Sequence, residues 1–281
     1  MKPFLTLQSI FFLLLTLIMT ATTSAFGADL GLIKPSTLTQ DNTWIILDCR
    51  PEKNYDQGHL PGALPFSWEK LTATDKDGVK YRITPPNELA AQLGRMGISE
   101  KSKIIFYGDT DSSWGGEGWG IWVFTWLGHQ GPIRILEGGI QAWEKEGLPV
   151  EKNRPKEVQA TTYLINLKPE TDITVQQLVD HGDQYTLIDV RSTLEWLRGH
   201  LPNAIHISWE KFYQGADRAP LSRIQLQKLL ADHGVNLNKP VVYYCTGGIR
   251  SGYTWMAHEL SGLGTAINFE GGTEAWDKHR P

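Results

Sequence analysis

The stretch VVYYCTGGIR, Val241 to Arg250, sets one of only two cysteines in 281 residues between an apolar run and a pair of glycines, and closes on an arginine. Val241, Val242, Tyr243 and Tyr244 are β-branched or aromatic, as in a buried strand of a parallel sheet, and Gly247 and Gly248 break the run. A helix is expected to begin near Ser251. Cys245 therefore stands where a strand gives way to a helix. Backbone N–H groups and the helix N-terminal partial charge favour an anion there. A thiolate is such an anion, and it is the nucleophilic form of cysteine.

The elements that would position this residue are legible as alternation. Around Cys245, strands are expected near Thr186–Val190, Val241–Tyr244 and Thr265–Phe269, with helices near Thr174–His181, Ser222–His233 and Ser251–Leu260. Short β-rich runs alternating with helical patterns predict an α/β fold: a mostly parallel sheet flanked by helices, with sites at the C-terminal ends of the strands.

The chain also repeats itself. IILDCRPEKNYDQGHLPGALPFSWEKL at Ile45–Leu71 matches LIDVRSTLEWLRGHLPNAIHISWEKF at Leu187–Phe212, so that Asp48, His59 and Trp68 fall 141 residues before Asp189, His200 and Trp209. LEGGIQAWEK at Leu136–Lys145 answers FEGGTEAWDK at Phe269–Lys278 at an offset of 133. Offsets this long imply two copies of one domain rather than a solenoid. The expected organisation is a first domain over 29–150, a polar linker over 151–170 and a second domain over 171–281. Tyr163, Leu164, Ile165 and Leu167 give the linker an apolar face to pack.

Met1-Lys2-Pro3, the apolar run Ile10–Met19 and the small residues Ala21–Ala25 have the three-part layout of a secretory signal peptide. Cleavage is expected after Ala25, or slightly later near Gly27 or Ala28. An uncleaved anchor is disfavoured because the apolar run is shorter than the ~20 residues that span a bilayer. No twin arginine is present, so export in the unfolded state to the periplasm is expected, with the extracellular space or cell wall as alternatives. Losing residues 1–25 removes Lys2 and makes the formal net charge of −4 one unit more negative. That balance excludes the basic footprint of a nucleic-acid binder, while 41% hydrophobic residues and 11 tryptophans supply ample core. Cys49, in WIILDCR, occupies the place of Val190 and reads as a small buried hydrophobe. Cys245 is then an unpaired thiol in an oxidising compartment, a liability unless it is used.

Through LIDVR, GHLPNA, YYCTGGIR and EGGTEAW, and their counterparts in the first copy, the chain from about Leu32 to Trp276 resembles the rhodanese (thiosulfate sulfurtransferase) family, specifically its tandem-domain members. The resemblance implies two rhodanese-like α/β domains, of which only the C-terminal copy is catalytic. It implies Cys245 as the nucleophile that takes the outer sulfur of thiosulfate or a related donor, holds it as a persulfide and releases it to cyanide or a thiol. The six-residue loop Cys245, Thr246, Gly247, Gly248, Ile249 and Arg250 would curl its amides toward the sulfur, its glycines adopting angles other residues resist. Arg250 either steers an anionic donor or forms a structural ion pair at the helix start. Thr246 either donates to substrate or faces solvent. Many thiosulfate-using relatives carry basic residues in this loop; Thr246-Gly247-Gly248 is neutral.

Asp189 and Arg191 are expected to support the loop or line the site, with Arg191–Glu195 pairing as the structural alternative. His200 invites a general-base role, but its counterpart His59 lies in the copy without a nucleophile, which points to framework. In the first copy Gly108 stands opposite Cys245, and the ten residues Gly108–Glu117 replace the loop. Asp109 and Glu117 would make it repel anions, and Trp114 or Trp119 would reach the domain interface. A rhodanese-like phosphatase is disfavoured because five residues separate its cysteine and arginine, against four here. The remaining alternatives are 3-mercaptopyruvate as donor, its carboxylate held by Arg191 or Arg198, and a non-enzymatic binding or redox-sensing module. No metal site, P-loop, dinucleotide motif or organic cofactor is expected. Nor is stable membrane association after signal cleavage. The repeat already supplies a pseudo-dimer, so a monomer is expected.

Overall fold

A computed structural model describes residues 29–39, 41–109, 112–155, 158–215 and 218–279. The expected signal peptide lies outside these residues. Among them, no helix is long and apolar enough to cross a membrane.

The first copy begins with strand β1 (Leu30–Ile33), helix α1 (Pro35–Leu38), β2 (Ile45–Asp48), α2 (Glu52–Gln57), β3 (Leu64–Pro65) and α3 (Trp68–Leu71). A two-stranded hairpin follows, β4 (Thr72–Ala73) with β5 (Arg82–Ile83), then α4 (Pro86–Arg95), β6 (Ile104–Tyr107), α5 (Gly116–Trp126), β7 (Ile133–Leu136) and α6 (Gly139–Lys145). Its sheet has the order β1-β7-β6-β2-β3, every pairing parallel.

The second copy runs α7 (Val175–His181), β8 (Thr186–Asp189), α8 (Thr193–Leu197) and β9 (Ile205–His206). A 3₁₀ turn at Trp209–Phe212 leads to the hairpin β10 (Tyr213–Gln214) with β11 (Ala219–Pro220), then α9 (Arg223–Asp232), β12 (Val241–Tyr244), α10 (Ile249–Ser261), β13 (Ala266–Phe269) and α11 (Gly272–His279). The sheet order is β13-β12-β8-β9, again parallel throughout. All four residues of β8, β12 and β13 are buried, which is why β12 reads as a continuous run of β-branched and aromatic residues instead of an alternating one.

The copies meet through α5 and α10. Both are buried nearly all round, the signature of a helix inside a molecule, and their side chains belong to one core cluster that runs through both halves. The crossing is close because glycines face it. A Cβ on Gly118 would stand 2.4 Å from Tyr253 Cα, and one on Gly252 would stand 2.7 Å from Trp119 Cα. Of the expected linker, residues 158–168 carry no regular element but lie along the first half: Tyr163 is buried beside Phe124 and His129, whereas Leu164 and Leu167 remain exposed.

The eight extra residues of the first half fall in two places. Four lengthen the hairpin, for Thr72 pairs with Ile83 whereas Tyr213 pairs with Pro220. The other four lengthen the loop between Tyr107 and α5, compared with that between Tyr244 and α10. Both additions reach the same place, the surroundings of Cys245.

Candidate active site

Cys245 follows β12 at the C-terminal edge of the second sheet, with 2% of its surface exposed. The helix starts two residues earlier than the sequence suggests, at Ile249, so Ile249 and Arg250 form its first turn instead of the end of a free loop. Gly248 is the N-cap, at φ +83° in the left-handed region that glycine tolerates. Gly247 serves close approach instead: a Cβ there would stand 2.5 Å from Tyr81 Cβ of the first half. Ser251, fully buried in the first turn of α10, points its hydroxyl at the Cys245 sulfur, Oγ to Sγ 3.6 Å. The sequence offered Ser251 only as a helix start.

Two supports hold the loop from below. The first turn of α11 donates from Thr273 N–H to the Cys245 carbonyl, 2.9 Å, and from Glu274 N–H to the Thr246 carbonyl, 3.1 Å. That contact explains the repeated GG motif, because a Cβ on Gly272 would sit 2.5 Å from both carbonyl oxygens. The second support is Asn268, a buried amide in β13. Its Nδ2 donates to the Gly248 carbonyl at 3.2 Å, while its Oδ1 has no hydrogen-bond partner. The equivalent residue of the first half is Ile135.

Arg250 forms a two-pronged ion pair with Glu195 of α8, Nη1–Oε2 2.8 Å and Nη2–Oε1 2.7 Å. Thr246 Oγ1 accepts from Arg250 Nη2 at 3.0 Å and donates to Glu195 Oε1 at 3.2 Å, so its proton is directed at Glu195 and not at a substrate or at solvent. Hydrogen bonds from Arg250 hold the Glu195 carboxyl well below the usual carboxylate range despite partial burial, with Ser192 adding to the effect. Burial opposes the Arg250 charge, but Glu195 and the neighbouring Cys245 sulfur outweigh it and keep the guanidinium above its ordinary range. Both readings of Arg250 therefore have a basis: it is an ion pair at the helix start, and it borders the space above Cys245.

That space is a cleft of about 450 Å³. Its floor is the loop, and its far wall is aromatic and comes from the first half: Trp68, Tyr81 and Trp114. Trp68 and Tyr81 pack edge to face at 6.1 Å, and Trp114 lies over the Arg250 guanidinium at 6.0 Å. Tyr81 and Trp114 both hold positive φ, +62° and +54°. For a bulky side chain that conformation costs about 1–2 kcal/mol, and such strain gathers at functional positions. The hairpin carrying Tyr81 is fastened by Arg82 to Glu270 and by the Ile83 N–H to Glu270 Oε1, 2.7 Å.

Asp189 and Arg191 do not reach the cleft. They bind one another, Nε–Oδ1 3.0 Å and Nη2–Oδ2 2.6 Å, and Arg191 Nη2 also donates to the Gly199 carbonyl. Asp48 and Arg50 repeat this arrangement in the first half, with Gly58 as acceptor. The pair therefore belongs to the framework, and Glu195 is the partner of Arg250 instead of Arg191. Arg198 and His200 line a separate cavity with Arg191. His200 stacks on Trp196 and His59 on Tyr55, in keeping with a framework role for both.

The loop of the first half is closed. Glu117 takes the place of Arg250 and is buried with Ser113 donating to its Oε2 at 2.9 Å. Burial raises its carboxyl to about 7. Asp109 accepts from the Ser112 N–H and hydroxyl. The two acids are thus engaged internally, and about 20 Å³ remains beside Gly108, room for one water at most. Arg218 and Tyr253 of the second half line that remnant, and Arg218 is the hairpin counterpart of Tyr81. Trp119 is buried at the interface beside Gly252, while Trp114 reaches the cleft. Cys49 is fully buried beneath the same loop, and burial pushes its thiol well up, with Glu117 and Asp48 adding to the effect.

Comparison with known proteins agrees with this fold. The family model for a rhodanese-like domain matches twice, at residues 36–146 and 174–279. The chain is 31% identical over 242 residues to "Putative thiosulfate sulfurtransferase SseA" of Mycobacterium bovis, covering 79% of this chain and 78% of that one. It is 28% identical over 245 residues to "Sulfur carrier protein TtuD" of Thermus thermophilus, covering 79% and 83%. Among solved structures, SseA from Escherichia coli, described as showing the rhodanese fold of 3-mercaptopyruvate sulfotransferases, superimposes with a TM-score of 0.76 at 20% identity, over 86% of this chain and 98% of that one. Two matched domains, two parallel sheets joined by buried helices and a cysteine loop at the edge of the second make this chain a tandem-domain member of the rhodanese family.

Proposed function

We propose that the protein moves sulfane sulfur from thiosulfate or a related donor to cyanide or a thiol, through a persulfide on Cys245 in the second domain, after export to the periplasm. The carrying observation is the placement of Cys245: a thiol in a glycine-bearing loop at a helix N-terminus, beneath a 450 Å³ cleft, with the Ser251 hydroxyl on its sulfur. The thiolate attacks the outer sulfur of the donor. The bond within the donor breaks, and its electron pair leaves on sulfite when the donor is thiosulfate. Loop amides and the end of α10 stabilise the anionic persulfide. Cyanide then takes the terminal sulfur as thiocyanate and returns the thiolate.

The first domain acts as a wall of the site and has no thiol in its own loop. The alternative donor, 3-mercaptopyruvate, has less support from the residues expected to hold its carboxylate, since Arg191 is committed to Asp189 and Arg198 lines another cavity. Intact mass of the mature protein after thiosulfate, with Cys245→Ser alongside, tests the reading. A gain of one sulfur atom that requires Cys245 and is removed by cyanide is expected. No gain from thiosulfate or 3-mercaptopyruvate on a demonstrably reduced thiol would leave a binding or redox-sensing module. Release of the protein by osmotic shock tests export to the periplasm.

A further inference from the structure

We propose that the second half carries a docking groove for an extended segment of a partner protein, apolar–Pro–apolar in pattern, which bridges to the backbone of His200 and seats its apolar side chains beside Trp276. The groove lies outside the cleft, and the proposal is independent of the chemistry at Cys245.

The first half shows the groove filled. After α6 the chain turns back as Gly147-Leu148-Pro149-Val150-Glu151 and runs beside the loop that follows α2. The His59 N–H donates to the Glu151 carbonyl at 2.9 Å and the Glu151 N–H to the His59 carbonyl at 2.8 Å, an isolated antiparallel bridge. Trp143 Nε1 donates to the Pro149 carbonyl at 2.8 Å. Leu148 packs, with Trp44 and Ile46, on the core cluster that holds Trp143. Val150 lies against Gly58, where a Cβ would stand 3.5 Å from its Cγ2. Under this cover His59 and Trp143 are buried.

The second half builds the same groove and leaves it open among the described residues. Tyr185, Leu187 and Trp276, the counterparts of Trp44, Ile46 and Trp143, line a cavity of about 650 Å³. Gly199, the counterpart of Gly58, lines an adjoining cavity of about 360 Å³, and the two cavities share His200 and Trp276. His200 is exposed and Trp276 only partly buried. Among the described residues, neither the His200 N–H and C=O nor the Trp276 Nε1–H has a hydrogen-bond partner. A backbone donor and acceptor flanked by apolar pockets is what strand addition uses: the main-chain bonds hold the peptide and the pockets read its side chains. The duplicate fills this groove with extended chain, which makes the occupant a peptide segment.

One difference separates the partner's chemistry from that of the linker. Beyond Glu151, Arg154 pairs with Glu52 and Asp56 and lies over Tyr55. The counterparts on α8 are Thr193, Leu197 and Trp196, which offer no acid, and Leu197 is 74% exposed. The partner segment therefore carries an apolar residue where the linker has Arg154.

The test titrates the mature protein with end-blocked synthetic peptides and follows the indole N–H resonance of Trp276 by NMR, assigned with Trp276→Phe. The probes are GLPVEKNR, which copies Gly147–Arg154, GLPVEKNL, and GDPVEKNL, in which aspartate replaces the first leucine. GLPVEKNL is expected to shift the resonance saturably, with half-saturation near ~1 mM or below, and to slow hydrogen exchange at the His200 amide. It should bind about threefold tighter than GLPVEKNR and at least about tenfold tighter than GDPVEKNL. No saturable shift, or a shift of equal strength with GDPVEKNL, overturns the proposal. Equal or tighter binding of GLPVEKNR overturns the apolar continuation. A Trp276 resonance that moves when the protein alone is diluted gives the groove to a second copy of this chain and overturns the assignment to a partner.

Discussion

Asn268 has a built-in control, because the same position of the first half holds Ile135. A buried amide with an unmatched oxygen costs about 1–3 kcal/mol, and the contact that offsets it is the one to the Gly248 carbonyl, at the N-cap of the helix behind Cys245. Asn268→Ile should therefore leave the melting temperature equal or higher while slowing sulfur loading of Cys245 about tenfold, the equivalent of ~1.4 kcal/mol. Loading at the native rate would remove Asn268 from the positioning of the loop. At this scale the sequence was a partial guide. Cys245, the two glycines and Arg250 were legible because each residue type is unusual in its place. Asn268 and Ser251 were not, since a single polar residue beside a strand or helix end has many ordinary roles. The expected Arg191–Glu195 pairing does not form, because Arg191 folds back on Asp189 and Glu195 meets Arg250, 55 residues on, a partner that no local pattern indicates.

Helices α5 and α10 show what alternation alone leaves out. Their existence was legible for α10, with its start misplaced by two residues, but their mutual contact depends on glycines that look helix-breaking in isolation. Gly118 is the more demanding, and Gly118→Ala would press a methyl group on the Tyr253 backbone. The expected cost is about 2–3 kcal/mol in urea or thermal unfolding, because backbone cannot step aside as a side chain can. An Ala variant of native stability would show that the two helices have room to part. The hairpin of residues 72–83 was equally hidden. Its strands are two residues long and its landing point lies in the other half, beyond the reach of any local pattern.

The molecule as a whole carries two buried acids, each of which contributes to its response to pH. Burial raises Glu117 to about 7, and burial likewise raises Asp172, whose carboxylate accepts from the Glu270 N–H, to about 7. Below the ordinary carboxylate range each is protonated in both folded and unfolded chains and contributes nothing. Between that range and about 7 the unfolded chain loses protons that the folded one keeps, so the contribution of each acid to stability falls as pH rises, and its penalty is complete above 7. Glu117→Gln should accordingly be more stable than the native protein by about 2 kcal/mol at pH 8 and no different at pH 4, as read by denaturant midpoints. A gain that is the same at both pH values would locate the effect in packing. The crossed hairpins have a consequence for descent as well. Tyr81 and Arg82 belong to the copy whose loop carries no cysteine, yet Tyr81 lines the cleft above Cys245 of the other copy and Arg82 fastens its hairpin there, while Arg218 lines the remnant beside the loop of the first half. On the proposed reading, selection for sulfur transfer at Cys245 would act on the hairpin of the copy whose loop has no cysteine, and would bear less on the hairpin of the copy that carries Cys245.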